Sequence, residues 1–510
     1  VNLQLVRRQL GLLLLVLSAL ILLIAAFSAL DYRFDHLREG AACRALLVAG
    51  LIGSLIGVLC WRLGAKDRRE LGRREAMLLV AGSWFLGAAV AAAPYRLWAS
   101  FAVATVGDGP HEFCSYINCY FEALSGLTTT GATTLTQIDT VPRSLLLWRA
   151  LTHWLGGLGI VVLFVAVLPM LGVGGRRLFR VESPGPTPEG VRPRIQDAAR
   201  VLWLIYSGLT IAEVIALRLC GMAWFDSVCH TFATLATGGF STHDSSIAAY
   251  ASSWIHCVII AFMVLAGVNF GLYHQITQGK WRSAWRDAEL CVYLGLMLIA
   301  AIVICASCLI NRPAPMQGQS AGLVIRDAVF QTVSIQTTTG FCTADFDTWS
   351  FVAKAALITL MFVGGSAGST GGGIKVIRIM IAVKVMAAEL EHVFRPKVVR
   401  AVKIGGATVE PELKLATLVY ILGIFACFAV GACGLMILES GKDIDITTAA
   451  TASIATLNNI GPGLARVGTT QNYAWFGGAS KLLMCVLMAV GRLELFTIAV
   501  LFSPRFWRST

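Results

Sequence analysis

Charge is scarce in this 510-residue chain. Asp, Glu, Lys and Arg together make up 14% of it, against roughly 25% in a soluble protein. The short motifs of enzyme chemistry are also missing. There is no HExxH and no pair of carboxylates on one helix face, and His153, His230, His256 and His274 are scattered, so an enzyme is not expected. The phosphate-cradling spacing GxxxxGK[ST] is absent, since Lys375 stands between Ile374 and Val376. No nucleotide-binding fingerprint is present, and an organic cofactor is not expected. Cys305 and Cys308 form a CxxC, but inside an apolar run and without a second pair, so the cysteines read as packing residues.

Apolar residues fill the space that charge leaves. They make up 56% of the chain, with a mean hydropathy of +0.73. They come in long runs: 10–30, 44–63, 76–104, 145–172, 201–225, 252–278, 288–311, 351–390, 413–438 and 474–502. About 20 residues cross the hydrocarbon core, and in lipid each backbone group needs an internal partner, so these runs predict ten helical spans. The first run follows Arg7 and Arg8 and ends near Ala26–Phe27–Ser28, but it is longer than a signal peptide's apolar stretch of roughly 7–15 residues.

The net charge of +12 does not point to nucleic acid, because the basic residues gather at alternate ends of the runs. Arg7 and Arg8 precede the first. Arg62, Lys66, Arg68, Arg69, Arg73 and Arg74 lie between the second and third, and Arg176, Arg177, Arg180, Arg192, Arg194 and Arg200 follow the fourth. Lys280, Arg282 and Arg286 follow the sixth, Arg395, Lys397, Arg400 and Lys403 the eighth, and Arg505 and Arg508 the last. This alternation predicts a multi-pass membrane protein with both termini cytoplasmic.

Four segments repeat one pattern, and each lies between two apolar runs: 121–132, 230–240, 330–341 and 451–462. Aligned on Gly131, Gly239, Gly340 and Gly461, they place Asn118, Asp226, Asp327 and Thr448 at one position, where each is expected to cap a short helix. The helices are too short to cross. The repeat unit is therefore a span, a short re-entrant helix, an extended polar strand and a second span. All four enter from the same, outer face, since they are an even number of spans apart. Non-helical backbone is tolerated at membrane depth only beside protein or a water-filled path, so the four strands are expected to line one pore.

The strands carry a chemistry suited to a cation that must trade water for other oxygens. Thr129–Thr130–Gly131–Ala132, Thr237–Gly238–Gly239–Phe240, Thr338–Thr339–Gly340–Phe341 and Asn459–Ile460–Gly461–Pro462 combine glycine with hydroxyls. Glycine permits the dihedrals that turn carbonyls inward, and rings of carbonyls replace a hydration shell such as that of potassium. The short helices also aim their partly negative C-terminal ends at the cavity below.

Three stretches give the chain a family resemblance: Glu122–Ala123–Leu124–Ser125–Gly126–Leu127–Thr128–Thr129–Thr130–Gly131–Ala132–Thr133, the run Gly364 to Lys375, and Gly491–Arg492–Leu493–Glu494–Leu495–Phe496–Thr497. With them the chain resembles potassium transporters of the Trk, Ktr and HKT type, and within these the TrkH branch, whose two extra N-terminal spans it matches. The resemblance implies potassium as the transported ion, held at the sixteen strand residues. It also implies a homodimer in a bacterial inner membrane, on a cytosolic nucleotide-binding ring of the TrkA kind. Serine at the first filter glycine is associated with sodium transport in that family, and Gly131 places this chain with the potassium-selective class. Asn459, Ile460 and Pro462 depart most from the pattern. Proton- or sodium-coupled symport of potassium stays open as the alternative.

The eighth run is too long for one span: 40 helical residues would reach about 60 Å. Gly364, Gly365, Gly368, Gly371, Gly372 and Gly373 interrupt it with Ser366, Ala367, Ser369 and Thr370. Each glycine weakens a helix by about 1 kcal/mol. The helix is expected to break here into a gating loop below the third strand. Arg492 lies inside the last run, where an arginine usually marks function. It is expected to face the pore and pair with the loop or with Glu122, with Lys375 adding a second charge and Glu494 pointing off that face.

The expected architecture is an all-α polytopic membrane protein with four pseudo-symmetric pore repeats. Its parts are a two-span unit over 1–75, repeats over 76–175, 176–283, 284–403 and 404–510, and the gating helix in the third. The longest cytoplasmic segment, near 175–200, is proline-rich and basic, so regulation is expected from a separate subunit acting through the basic connection at 391–403. The remaining expected partner is the lipid bilayer itself.

Overall fold

Long apolar helices account for most of the runs. The computed structural model describes residues 2–31, 36–64, 72–106, 111–166, 195–398, 401–442 and 444–507. Lys66, Arg68, Arg69, Arg176, Arg177, Arg180, Arg192, Arg194, Arg400 and Arg508 lie outside them. Six helices among the described residues are long and apolar enough to cross a bilayer, or eight if two sharply bent pairs each count as one span.

The chain opens with α1 (Leu3–Asp31) and α2 (His36–Leu63), an antiparallel hairpin. Small residues let the two backbones close on each other: a methyl group added at Gly11 would lie 2.5 Å from the Trp61 backbone nitrogen. Ile21, Ala42, Ala45 and Leu46 are buried between this hairpin and α3 (Arg73–Val106).

Four pore helices follow, each set between two further helices. α4 (Tyr116–Leu127) precedes α5 (Arg143–Ala166). α6 (Ile195–Leu219) leads to the pore helix α7 (Trp224–Leu235), then α8 (Ser253–Ala266) and α9 (Phe270–Thr277). After the short α10 (Trp281–Trp285) come α11 (Ala288–Asn311), the pore helix α12 (Ala321–Gln336), α13 (Phe351–Phe362) and α14 (Val376–Phe394). The last set is α15 (Pro411–Leu438), the pore helix α16 (Ile446–Leu457), α17 (Gly478–Leu493) and α18 (Leu495–Ala499). A two-residue hairpin, Lys403–Ile404 with Ala407–Thr408, packs against α14.

Two expectations need correction. The eighth run breaks as expected, but so do the sixth and tenth. α8 and α9 meet at 92°, and α17 and Leu495–Phe502 at 120°. Asn269 starts the new helix in the sixth run, its side chain accepting the Gly271 N–H at 2.7 Å. Glu494 breaks the tenth with a left-handed φ of 64°. Nor do Asn118, Asp226, Asp327 and Thr448 cap the pore helices. The caps are Ser115, Ala223, Ser320 and Asp445. Asp226 and Thr448 instead hold the returning chain: Asp226 accepts the Thr242 hydroxyl at 2.8 Å and Thr448 the Arg466 N–H at 3.3 Å.

Candidate functional site: a ring of four strands

All four pore helices end in the same cap. Thr130, Gly238, Thr339 and Ile460 each donate their N–H to the carbonyl five residues back, at 2.8–2.9 Å. Thr129, Thr237, Thr338 and Asn459 donate three residues back, at 2.9–3.4 Å. This double bond pattern requires a left-handed residue, usually glycine. Here it is threonine three times and asparagine once, with φ between 52° and 60°. Such a conformation costs an L-residue about 1–2 kcal/mol. Two residues on, Gly131, Gly239, Gly340 and Gly461 are left-handed as well, with φ of 78–94°. The alternation turns successive carbonyls to one side of each strand.

The strands close on each other in chain order. A methyl group on Gly131 would lie 2.0 Å from the Gly238 carbonyl oxygen, and one on Gly239 would lie 2.1 Å from that of Thr339. A methyl group on Gly340 would lie 1.9 Å from the Ile460 oxygen, and one on Gly461 would lie 2.7 Å from that of Thr130. Repeat 1 thus abuts 2, 2 abuts 3, 3 abuts 4, and 4 abuts 1. Among the described residues no hydrogen-bond donor is directed at these four oxygens. Above the ring lies a vestibule of ≈ 80 Å³, lined by all four glycines with Ala132, Pro462, Arg149 and Tyr473.

Residues from the surrounding helices brace the ring. Glu122 is fully buried and accepts from the Thr133 hydroxyl and the Thr134 N–H at 2.9 and 2.8 Å. Its ion-pair partner is Arg149 at 2.7 Å, not Arg492. Arg149 also donates to the Ser241 carbonyl at 2.9 Å and lies 3.6 Å from the Phe240 ring centre. The same reasoning that singled out Arg492, an arginine inside an apolar run, finds Arg149 too. Asn459 crosses the seam between repeats 4 and 1, donating to the Thr130 hydroxyl at 2.9 Å. The Tyr473 hydroxyl donates to the Gly461 carbonyl at 2.7 Å. Tyr473→Phe should lower unfolding stability by about 1 kcal/mol, the usual worth of one neutral hydrogen bond. A thermal melt of the purified variant checks this.

The glycine-rich loop lies directly against the ring. Its ends meet, Gly364 donating to the Ile374 carbonyl at 3.0 Å and Ile374 to that of Phe362 at 3.2 Å. The Gly372 N–H donates to the Thr338 hydroxyl at 2.6 Å. A methyl on Gly372 would lie 2.3 Å from the Asn458 carbonyl oxygen, and one on Gly371 would lie 3.2 Å from that of Thr337. Gly365, Ser366, Gly368, Ser369 and Thr370 lie toward the break in the sixth run: Ser366 donates to Gly267, Thr370 to Ala266, and Gly368 accepts from Phe270.

Buried charges hold this loop. Arg492 donates to the Thr370 carbonyl at 2.8 Å and to the Gly156 carbonyl of α5 at 3.0 Å. The Lys375 ammonium donates to the Gly371 carbonyl, and Gly373 lines a small cleft with both cations. Glu289 on α11, which the sequence did not single out, accepts the N–H groups of Ala367 and Ile377 at 2.7 and 3.1 Å. Glu494 pairs with Arg378 at 2.7 Å, and Arg378 stacks 3.9 Å over Tyr420. Because the helix breaks at Glu494, it faces the same cleft as Arg492 after all.

Re-entrant helices and strands closing one ring among membrane-length helices define the class: a polytopic, pore-loop membrane protein. The chain belongs to the TrkH family, described as cation transport proteins, whose model matches residues 110–509. It is 38% identical over 505 residues to the Trk system potassium uptake protein TrkH of Escherichia coli K12, covering 99% of each chain. To the protein of the same name from Vibrio parahaemolyticus it is 35% identical over 503 residues, 98% of each. The crystal structure of the potassium transporter TrkH from Vibrio parahaemolyticus superposes with a TM-score of 0.87 at 32% identity, covering all of both chains.

Proposed function

We propose that this chain carries potassium across a membrane through the ring formed by Thr129 to Ala132, Thr237 to Phe240, Thr338 to Phe341 and Asn459 to Pro462. The observation that carries the reading is the closure of four strands into one ring, in which the Thr130, Gly238, Thr339 and Ile460 carbonyls meet no donor among the described residues. Carbonyl rings of this kind replace the hydration shell of potassium, and potassium is also the ion in the names of the relatives from E. coli and Vibrio. The loop from Gly364 to Gly373, with Lys375 and Arg492, serves as the gate. A passage this close below the ring is blocked or opened by small movements of the loop.

The Lys/Arg pattern supports both termini on the cytoplasmic side of a bacterial inner membrane. On the same resemblance the chain pairs as a homodimer and takes its regulation from a cytosolic nucleotide-binding subunit. The hairpin at 403–408 and the basic residues Arg395 and Lys397 that follow α14 are the surface offered to it.

Gly131→Ser tests the ring. Its φ of 78° is strained for serine, and the added Cβ points at the Gly238 carbonyl. The sodium-to-potassium permeability ratio should rise about fivefold, a loss of ~1 kcal/mol of discrimination. Flux of potassium, rubidium and sodium into proteoliposomes measures it, with and without a proton gradient. An unchanged ratio removes these residues from the permeation path, and a potassium flux that follows the proton gradient moves the protein to the coupled class.

A further inference from the structure

The second strand differs from the other three at one place. Thr130, Thr339 and Ile460 carry side chains where it has Gly238. Backbone conformation does not explain that glycine, because Gly238 is outside the left-handed region that Gly239 occupies. Its neighbour does. A methyl group on Gly238 would lie 2.4–2.6 Å from Nδ1, Cε1 and Cγ of His153, so the imidazole lies flat over the Gly238 backbone. The same ring stacks on Phe240, with centres 4.0 Å apart and planes 15° from parallel. His153 is fully buried, and neither ring nitrogen has a hydrogen-bond partner among the described residues. A buried imidazole without partners is penalised. What it supplies in return is shape: a flat plate wedged between α5 and the strand, touching the residues on both sides of Gly239.

We propose that His153 is a specificity-determining positioning residue, whose ring presses Gly238 and Phe240 into line and thereby fixes the Gly238 carbonyl in the ring. The proposal rests on the potassium-filter reading above. The Gly238 oxygen is the one that faces Gly131 across the seam between repeats 1 and 2. A shift of the second strand toward the vacated space widens the ring at that seam, which favours an ion with a different preferred oxygen distance. Arg149, one helical turn before His153, holds the Phe240 ring from its own position and limits how far the strand moves.

The test uses full-length protein in liposomes, reading rubidium and sodium uptake for the wild type, Gly131→Ser, His153→Ala, Gly238→Ala and the double variant. His153→Ala should keep rubidium flux and raise the sodium-to-rubidium ratio about threefold, equivalent to ~0.65 kcal/mol. Gly238→Ala should cut flux about tenfold, because its methyl has no room beside the imidazole. Flux should recover in the double variant, where the methyl occupies the space the imidazole left. His153→Leu, which fills the volume without a flat ring, is read alongside and should also raise the ratio. A lost fold changes the amount of active protein and not this ratio. The proposal is overturned if both His153 variants keep the wild-type ratio, or if the double variant is no better than the product of the two singles. If Gly131→Ser also leaves the ratio unchanged, the filter reading itself has failed, and the proposal with it.

Discussion

Arg492→Ala should raise potassium flux in the absence of any regulator at least about tenfold. The guanidinium joins the loop to the first repeat, donating to Thr370 on one side and Gly156 on the other. Hydrogen bonds from a charged donor are worth about 1.5–3 kcal/mol each, and every 1.4 kcal/mol is a factor of ten in a two-state population. Losing both bonds therefore moves a closed loop well toward its open arrangement. On the proposed gate, the same change also removes a positive charge that opposes a passing cation. Arg492→Lys should fall between alanine and wild type, since one ammonium cannot span two carbonyls as the planar fork does. Rubidium uptake into vesicles, normalised to folded protein, is the measurement. Wild-type flux in a well-folded Arg492→Ala would mean that the arginine only fastens helices together.

Deleting Ala367 and Gly368 should have an effect of similar size, with selectivity unchanged. These residues carry two of the loop's pins, the Ala367 N–H to Glu289 and the Gly368 carbonyl from Phe270. They do not carry the contacts with the ring, which belong to Gly371 and Gly372. The location of the deletion is decisive, because removing Gly371 or Gly372 would disturb Thr337 or Thr338 directly. Glycine-rich backbone has little preference of its own, so open and closed arrangements differ by few kcal/mol. A regulator pulling on α14 needs to supply only that difference. Flux by the deleted protein should be at least about tenfold above wild type without a regulator, and should gain little when one is added. A deleted protein as closed as wild type would leave the glycines a packing role only.

Much of this arrangement was legible in the sequence because it is periodic or extreme. Four aligned glycines, ten apolar runs and six glycines in ten positions each stand out against any background. The missed features are single residues or distant pairs. Thr129, Thr237, Thr338 and Asn459 carry no sign of a left-handed cap, because that sign is normally glycine. The break at Glu494 rests on one residue's φ, and the break before Phe270 on one asparagine. Glu494 and Arg378 are 116 residues apart, and Glu289 lies 78 from Ala367, so only the folded chain brings them together. The expected helix caps failed for another reason. Position thirteen before the glycine is shared by all four repeats, but its shared task is tying down the returning chain in at least two of them.

The alternating φ values along each strand are those of a peptide built from alternating D and L residues. A ribosome supplies no D-residues. Each strand approximates one D-position with an achiral residue, Gly131 or its counterparts, and the other with an L-residue held in mirror-image conformation. Replacing Thr129 or its counterparts with glycine would make the stereochemistry comfortable. It would also let those positions swing to either hand, and the row of oxygens would lose its alignment. The ring is thus a stereochemical compromise repeated four times, in which the less comfortable enantiomer keeps the oxygens in register.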